Sequence, residues 1–155
     1  MASSQFRSGR IQAEEGLSLH WEAHGAGPAL ICCNGVGVST FFWKYVVEEF
    51  KDRFTVVLWD YRDHGDSDRP DDPSEFDLSI RASAEDLVAV LDGAGIKKAV
   101  ALGHSMGCQV ALEAAIVSPD PIAGLVLMQG ECRKGTRHLF RQPEFKARPQ
   151  GLAPR

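Results

Sequence analysis

The pentapeptide GHSMG at residues 103–107 places Ser105 where a catalytic nucleophile would stand. A serine hydroxyl becomes reactive at neutral pH only when a neighbouring base takes its proton. The motif alone is weak evidence for a nucleophile, so the segments before and after it decide how it is interpreted. An apolar run, Ala99–Leu102, precedes it, and an Ala-rich helical pattern from Met106 to about Val117 follows. This order predicts that Ser105 lies on a sharp, strained turn between a strand and a helix.

The elements that would position this serine are short apolar runs bounded by turn residues. They are continuous rather than alternating, which is typical of strands covered on both faces of a parallel sheet. The runs are Ala29–Cys33, Phe54–Trp59, Ala99–Leu102 and Leu125–Met128. Earlier in the chain, Leu17–Trp21 alternates apolar and polar residues, which predicts a half-exposed antiparallel strand.

Helical patterns separate these runs. Phe42, Val46 and Phe50 repeat at i, i+4 and i+8 after a candidate N-cap at Ser39 or Thr40. A second apolar stripe extends from Ser79 to about Gly93, and the third helix follows Ser105. Strands that alternate with helices predict an α/β fold with a mostly parallel sheet and flanking helices.

Three motifs occur in an order that resembles α/β-hydrolase-fold proteins of the esterase and lipase kind. The sequence NGVG at residues 34–37 follows the first parallel run, DYRDHGDS at residues 60–67 follows the second, and GHSMG comes third. The resemblance covers roughly residues 15–130. It implies an incomplete α/β-hydrolase fold with about the first six strands, the last two being absent.

The resemblance also implies roles for single residues. Ser105 would be the nucleophile, and the backbone N–H groups of Val36 and Met106 would hold the oxyanion. The motif glycines are Gly35, Gly103 and Gly107. A serine at this position excludes relatives that use an aspartate nucleophile, such as haloalkane dehalogenases and epoxide hydrolases. No cofactor and no metal are implied.

The chain departs from the family pattern at two positions. Asn34 stands where the family usually has histidine, and Asp63 stands where it favours glycine. Asparagine can hydrogen-bond to nearby backbone, and aspartate is among the few residues that tolerate a positive φ. We therefore expect both loops to keep their shape.

The acid and the histidine that would activate Ser105 are not found where the family pattern would place them. The family order is serine, then acid, then histidine, and His138 is the only later histidine, close behind the last run. Glu131 is a candidate acid, and a surface glutamate is its alternative. His64 lies at the sheet edge where ligands bind, but the family does not use it as the base. His104 should point away from the nucleophile.

Two functions follow from these observations. The first is a serine hydrolase that, in its complete form, cleaves carboxylic esters or related acyl compounds, this chain being inactive without a triad histidine. The second is a non-catalytic fragment, or a binding or scaffold module, whose exposed sheet edge pairs with another chain, which includes a second copy of itself. The aromatic cluster Phe41, Phe42 and Trp43 would either wall an acyl pocket or pack in the core, and we expect the core.

The acidic loop at residues 60–68 resembles a metal site only superficially. It lacks the alternating aspartates and the bidentate glutamate of a calcium loop, so we expect a solvated turn.

The composition of the chain bears on its partners and on its cell compartment. The net charge of −4 argues against a nucleic-acid partner, and no segment is apolar over the roughly 20 residues of a membrane helix. The start of the chain lacks the apolar stretch of a signal peptide, and the four cysteines show no metal-site spacing. We therefore expect a cytoplasmic protein with reduced thiols.

The end of the chain differs in composition from the rest. Residues 131–155 hold seven Lys/Arg against two Asp/Glu, with three prolines and no clear periodicity. The sequence therefore predicts a division into a core at residues 1–130 and a basic tail at residues 131–155, either poorly ordered or the start of a missing cap. Such a change is typical of a truncated or frame-shifted product or of a basic interaction tail.

Overall fold

The structure is a computed structural model that describes residues 5–72, 74 and 76–130. Within these residues, six strands form one sheet in the order β1-β2-β4-β3-β5-β6. The strands are β1 Phe6–Gln12, β2 Ser18–His24, β3 Ala29–Cys33, β4 Thr55–Trp59, β5 Ala99–His104 and β6 Ile122–Met128. β2 is antiparallel to its neighbours β1 and β4, whereas β4, β3, β5 and β6 run parallel to one another. The predicted α/β class and mostly parallel sheet are confirmed.

The helices cover both faces of this sheet. α2 (Ile80–Gly93) and α3 (Met106–Val117) pack on one face, where a large core contains Ile31, Cys33 and Val57. α1 (Lys44–Phe50) packs on the other face, where a smaller core contains the alternate residues of the same strands, such as Leu30 and Val56. Because successive strand residues point to opposite faces and both faces are covered, the central strands had to be apolar throughout.

Two features of the fold differ from the expectation. The N-cap predicted at Ser39 or Thr40 holds only in part: Ser39 is the N-cap residue of a 3-10 helix, Thr40–Trp43, but its side chain makes no cap bond, and the N-cap residue of α1 is Trp43. β1 gave no sequence signal because it lies at the sheet edge with mostly exposed side chains. In contrast, the Ser79 hydroxyl caps α2 by accepting a bond of 3.1 Å from the Ala82 N–H.

Several expectations lie outside the described residues. These include the basic tail at residues 131–155 and the two residues Glu131 and His138. The division of the chain at residue 130 therefore stays a prediction. In the described part, no helix has the length and apolar character needed to cross a bilayer.

Candidate active site

Ser105 lies at the junction of β5 and α3, in a backbone conformation that non-glycine residues rarely adopt. Its φ is 54° and its ψ is −117°, and its side chain is exposed. Its N–H donates to the carbonyl of Met128 at 3.1 Å, while its carbonyl accepts from the Cys108 N–H at 3.0 Å. A strained residue of this kind costs about 1–3 kcal/mol and persists only when the surrounding structure enforces it. The predicted strained strand-to-helix turn is confirmed.

The motif glycines on either side of Ser105 allow close packing of strand and helix. A Cβ added to Gly103 would lie 2.6 Å from the Gly107 carbonyl oxygen and 2.7 Å from the Cys108 backbone nitrogen. A Cβ added to Gly107 would overlap the carbonyl of Cys33 at the end of β3. Both positions therefore need glycine because backbone atoms, which cannot move aside, occupy the space.

The loop after β3 reaches the nucleophile. Cys33 pairs with Gly103 across the parallel strands, so Gly35 and Ser105 stand two residues beyond paired positions. A Cβ on Gly35 would lie 3.4 Å from the Cβ of Ser105. The next residue, Val36, has an exposed side chain. Gly35, the residue before the expected oxyanion donor Val36, therefore lies beside the serine.

The second expected donor is the N–H of Met106, the first residue of α3. The first N–H groups of a helix have no acceptor inside the helix, and they carry the positive end of its dipole. This amide therefore adjoins Ser105 without an intrahelical partner, as an oxyanion donor requires.

Asn34 braces the loop after β3 although the family usually has histidine there. Its side chain is 1% exposed and donates from Nδ2 to the Trp59 carbonyl at 2.9 Å. Its Oδ1 accepts from the Trp43 indole N–H at 2.6 Å, and its backbone carbonyl accepts from the Tyr61 hydroxyl at 3.0 Å. The expectation that asparagine keeps this loop in place is confirmed.

The loop after β4, residues 60–68, forms the support for the loop after β3. The Asp60 carboxylate is buried and accepts the Thr40 N–H at 3.0 Å and the Asp66 N–H at 3.1 Å. Burial raises the pKa of Asp60, and these two N–H groups oppose the rise. Asp63 adopts a positive φ of 64°, as expected for a position that usually takes glycine.

A buried ion pair anchors the same loop to α2. The Arg62 guanidinium donates to both carboxylate oxygens of Asp86, from Nε at 2.8 Å and from Nη2 at 2.9 Å, and from Nη1 to the Asp77 carbonyl at 2.8 Å. Both side chains of the pair are nearly inaccessible to solvent. A two-point contact of this kind fixes the orientation of the guanidinium as well as its position.

The aromatic cluster divides between core and surface. Trp43 is 1% exposed and belongs to the core, as expected, but Phe41 is 72% exposed and Phe42 is 39% exposed. The core expectation is therefore wrong for Phe41 and holds only in part for Phe42. These residues lie in a 3-10 helix, whose three-residue turn points successive side chains about 120° apart, so that only one of three faces the sheet.

A groove of about 380 Å³ opens beside the loop after β3. Its walls come from two loops that follow neighbouring strands of the sheet. The lining residues are Val36, Gly37, Val38, Ser39, Phe41, Asp63, His64, Gly65 and Arg69. Ser105 does not line it, so the groove adjoins the candidate oxyanion donor rather than the nucleophile itself.

No base for Ser105 is found in the described part of the chain. His20 and His24 contact Glu22, His64 contacts Gly37 and Arg62, and His104 contacts Gln129 at 3.2 Å. The His104 ring also packs against Phe42, with ring centroids 4.7 Å apart. Within residues 5–72, 74 and 76–130, the candidate nucleophile Ser105 and the loop expected to form the oxyanion hole lie close together, and none of the described histidines contacts Ser105.

The acidic loop contains one set of groups with metal-ligand chemistry. His20, Asp60 and Asp66 each bring a ligand-type atom within 4.8 Å of the others. Both Asp60 oxygens, however, accept backbone N–H bonds that tie the two loops together. This carboxylate therefore holds the two loops together, and the expectation that no metal binds here stays a prediction.

Sequence reasoning missed the residues that tie these loops together. In the sequence, Asp60 and Tyr61 stand out only as members of a motif, and their contacts with Thr40 and Asn34 cross from one loop to another. Gln129, with a φ of 52° and a contact to His104, carried no signal. A hydrophobic run that ends in an acidic residue was the one available clue to Asp60.

Comparison with known proteins identifies relatives of this chain. A family model described as the alpha/beta hydrolase fold matches residues 28–152. One relative is a protein of Azorhizobium caulinodans that is named as a carbamate hydrolase, RutD. It is 33% identical to this chain over 115 residues, which make up 74% of this chain and 42% of that protein. A bifunctional epoxide hydrolase of Sus scrofa is 25% identical over 147 residues, 94% of this chain and 26% of that protein.

Solved structures agree with these relatives. A thermophilic esterase from Thermogutta terrifontis matches with a TM-score of 0.74 and 30% identity, over 82% of this chain and 47% of that one. A hydrolase from Pseudomonas aeruginosa matches with a TM-score of 0.72 and 28% identity, over 80% of this chain and 46% of that one. The chain thus spans less than half the length of these relatives.

Proposed function

This chain belongs to the α/β-hydrolase-fold family, and we propose that it carries the nucleophile and the oxyanion hole of a serine hydrolase that cleaves carboxylic esters or related acyl compounds. The observation that supports this most is the state of Ser105. It is exposed, it has a φ of 54°, and it stands between a strand end and a helix N-terminus. An idle surface serine has no need of so strained a backbone, whereas a nucleophile aimed at a substrate does.

The proposed chemistry begins with the Ser105 hydroxyl. Its oxygen attacks the substrate carbonyl carbon, and the carbonyl oxygen becomes negatively charged. The N–H groups of Val36 and Met106 hold this oxyanion. When it collapses, the bond between the carbonyl carbon and the alcohol oxygen breaks, the alcohol leaves with the proton that the base took from Ser105, and the acyl-enzyme remains. Water then releases the acid. The base that takes the serine proton would be a histidine outside the described residues.

The substrate class rests on the serine and on the groove. A serine nucleophile suits acyl carbonyls, which esters and carbamates share, and the names of two relatives include an esterase and a carbamate hydrolase. The groove beside Val36 is of a size that holds small organic molecules. We therefore propose a small-molecule acyl substrate.

Turnover by this chain alone tests how much of the site it contains. Since no described histidine contacts Ser105, we expect negligible hydrolysis of p-nitrophenyl acetate, because removing a triad typically lowers kcat about a million-fold. The control is Ser105→Ala at equal concentration. A wild-type rate well above that of Ser105→Ala, abolished by His138→Ala, would show that the chain holds a working base.

A second candidate function is a non-catalytic module that pairs through its sheet edge. β6 bonds to β5 alone among the described strands, and Val126 on it is exposed. An unpaired strand edge can recruit another chain. Self-association that rises with concentration in sedimentation experiments, and that Val126→Lys removes, would favour this function; a monomer at all concentrations would exclude it.

A further inference from the structure

Three hydrogen bonds tie the loop after β3 to the loop after β4, and one of them is made by an imidazole ring. At the start of the loop, the Tyr61 hydroxyl donates to the Asn34 carbonyl, and at its end the Thr40 N–H donates to Asp60. In the middle, the Gly37 N–H donates to Nε2 of His64 at 3.2 Å.

The contacts of His64 define its protonation. Its Nδ1 lies 2.9 Å from the Arg62 carbonyl oxygen, which can only accept, so Nδ1 carries a proton. Its Nε2 receives the Gly37 N–H, so Nε2 carries none. The ring is therefore the neutral tautomer protonated at Nδ1. The Arg62 carbonyl is itself held, because the Arg62 side chain is locked onto Asp86.

The position of this contact matters for the oxyanion hole. The Gly37 N–H belongs to the peptide group that joins Val36 to Gly37, and the Val36 N–H belongs to the peptide group before it. A positive φ of 74° at Gly37 gives this stretch an unusual turn. Val36 and Gly37 are exposed, so no burial holds them in place.

The charged and aromatic groups around His64 come from its own loop. Asp63 and Arg69 line the groove with it, 3.9 Å apart, and the Tyr61 ring meets its ring edge-on. The facing segment, residues 34–40, carries no charged side chain. If Nε2 took up a proton, its N–H would face the Gly37 N–H. No carboxylate from residues 34–40 could accept a hydrogen bond from that second ring N–H.

We propose that His64 is a positioning residue for the oxyanion hole. As the neutral tautomer it holds the Gly37 amide and so fixes the loop that presents the Val36 N–H. When Nε2 takes up a proton it becomes a donor, the bond to Gly37 breaks, and the loop is released. The inference rests on the proposed function for its consequence in catalysis, but the contact and its titration can be measured without any reaction.

The test is nuclear magnetic resonance on the whole chain, uniformly labelled with ¹⁵N. Long-range proton–nitrogen spectra should show a protonated Nδ1 and an unprotonated Nε2 for His64 at high pH. As the pH falls, the Val36 and Gly37 amide resonances should shift with the same midpoint as the His64 ring protons. A proton on Nε2 at high pH, or amides that stay still while His64 titrates, would overturn the proposal.

Two variants separate positioning from a general effect on the fold. In His64→Gln the side-chain carbonyl can still accept from Gly37, so the Val36 and Gly37 resonances should stay near their high-pH positions at every pH. In His64→Leu the acceptor is gone, and at equal pH the Gly37 amide should exchange with solvent about 2- to 10-fold faster than in the wild type. Retained titration of these amides in His64→Gln would contradict the proposal.

The matched controls are His24→Gln and Ser105→Ala. His24 contacts Glu22 on β2, so its replacement should leave the Gly37 titration unchanged. Ser105→Ala should also leave it unchanged, because the contact does not involve the nucleophile. If Ser105 proves not to be a nucleophile, these spectra would still report the His64 contact, so the two proposals fail separately. A Gly37 titration lost in His24→Gln would assign the effect to another histidine and overturn the proposal.

Discussion

Ser105 combines two properties that a structural residue does not need: an exposed hydroxyl and a left-handed backbone. The left-handed region admits glycine at little cost and penalises a Cβ. Strain at this residue therefore lowers the stability of the fold, and the bonds to Met128 and Cys108 on either side of its backbone hold it in place.

The strain predicts opposite outcomes for two small substitutions of this serine. Ser105→Gly removes the Cβ and should raise the free energy of unfolding by about 1 kcal/mol, the relieved strain exceeding the entropy that glycine loses on folding. Ser105→Ala keeps the Cβ and should change it little. Urea unfolding of both variants measures the difference. A glycine variant no more stable than the alanine variant would show that Ser105 is unstrained.

At the scale of elements, the active-site geometry depends on how closely α3 approaches β3 and β5. Gly107→Ala would push a methyl group into the Cys33 carbonyl, which as backbone in a central strand cannot rotate away. We expect a loss of about 2–4 kcal/mol in the free energy of unfolding. The matched control is Gly124→Ala on β6, where the nearest atom lies 3.8 Å from the new Cβ and little change is expected. Thermal unfolding of the two variants measures the difference in stability. Equal losses of stability would contradict the close packing of Gly107 against Cys33.

The anchor of the loop after β4 gives a second prediction at this scale. Arg62→Lys cannot reproduce the two-point contact with Asp86, and a buried pair that loses its geometry should cost about 3 kcal/mol. Arg81→Lys is the control, since Arg81 pairs with Glu85 at the solvent-exposed surface and this pair should contribute little to stability. Chemical denaturation compares the two variants. Similar small losses would mean that Arg62 does not anchor the loop.

Elements with periodic sequence were predictable, and the contacts between loops were not. The apolar runs gave the positions of β3 and β4 because both faces of these strands are covered. β1 gave no signal, since an edge strand with exposed side chains has no apolar pattern. For the site, the motif placed Ser105 correctly, but the Asn34–Trp59 and Asp60–Thr40 contacts join residues 25 and 20 apart in sequence, and no local pattern encodes them.

Taken as a whole, the described residues form the part of the α/β-hydrolase fold that contains the candidate nucleophile. The sheet, its two layers of helices and the loops at the carboxyl ends of its strands place Ser105 beside Gly35, the residue before Val36. The chain spans less than half the length of the relatives named above, and its described residues contain no histidine in contact with the serine. We therefore expect a serine with residual rather than full reactivity.

The most direct test of this account is the reaction of the chain with a fluorophosphonate probe, followed by mass spectrometry of its peptides. An oxyanion hole without a full triad still accelerates acyl chemistry about 10³- to 10⁴-fold over water. Ser105 should therefore be labelled slowly, but well before any other serine, and Ser105→Ala should abolish this labelling while the protein stays folded. Labelling spread evenly over the exposed serines, or absent from Ser105, would contradict the assignment of Ser105 as the nucleophile.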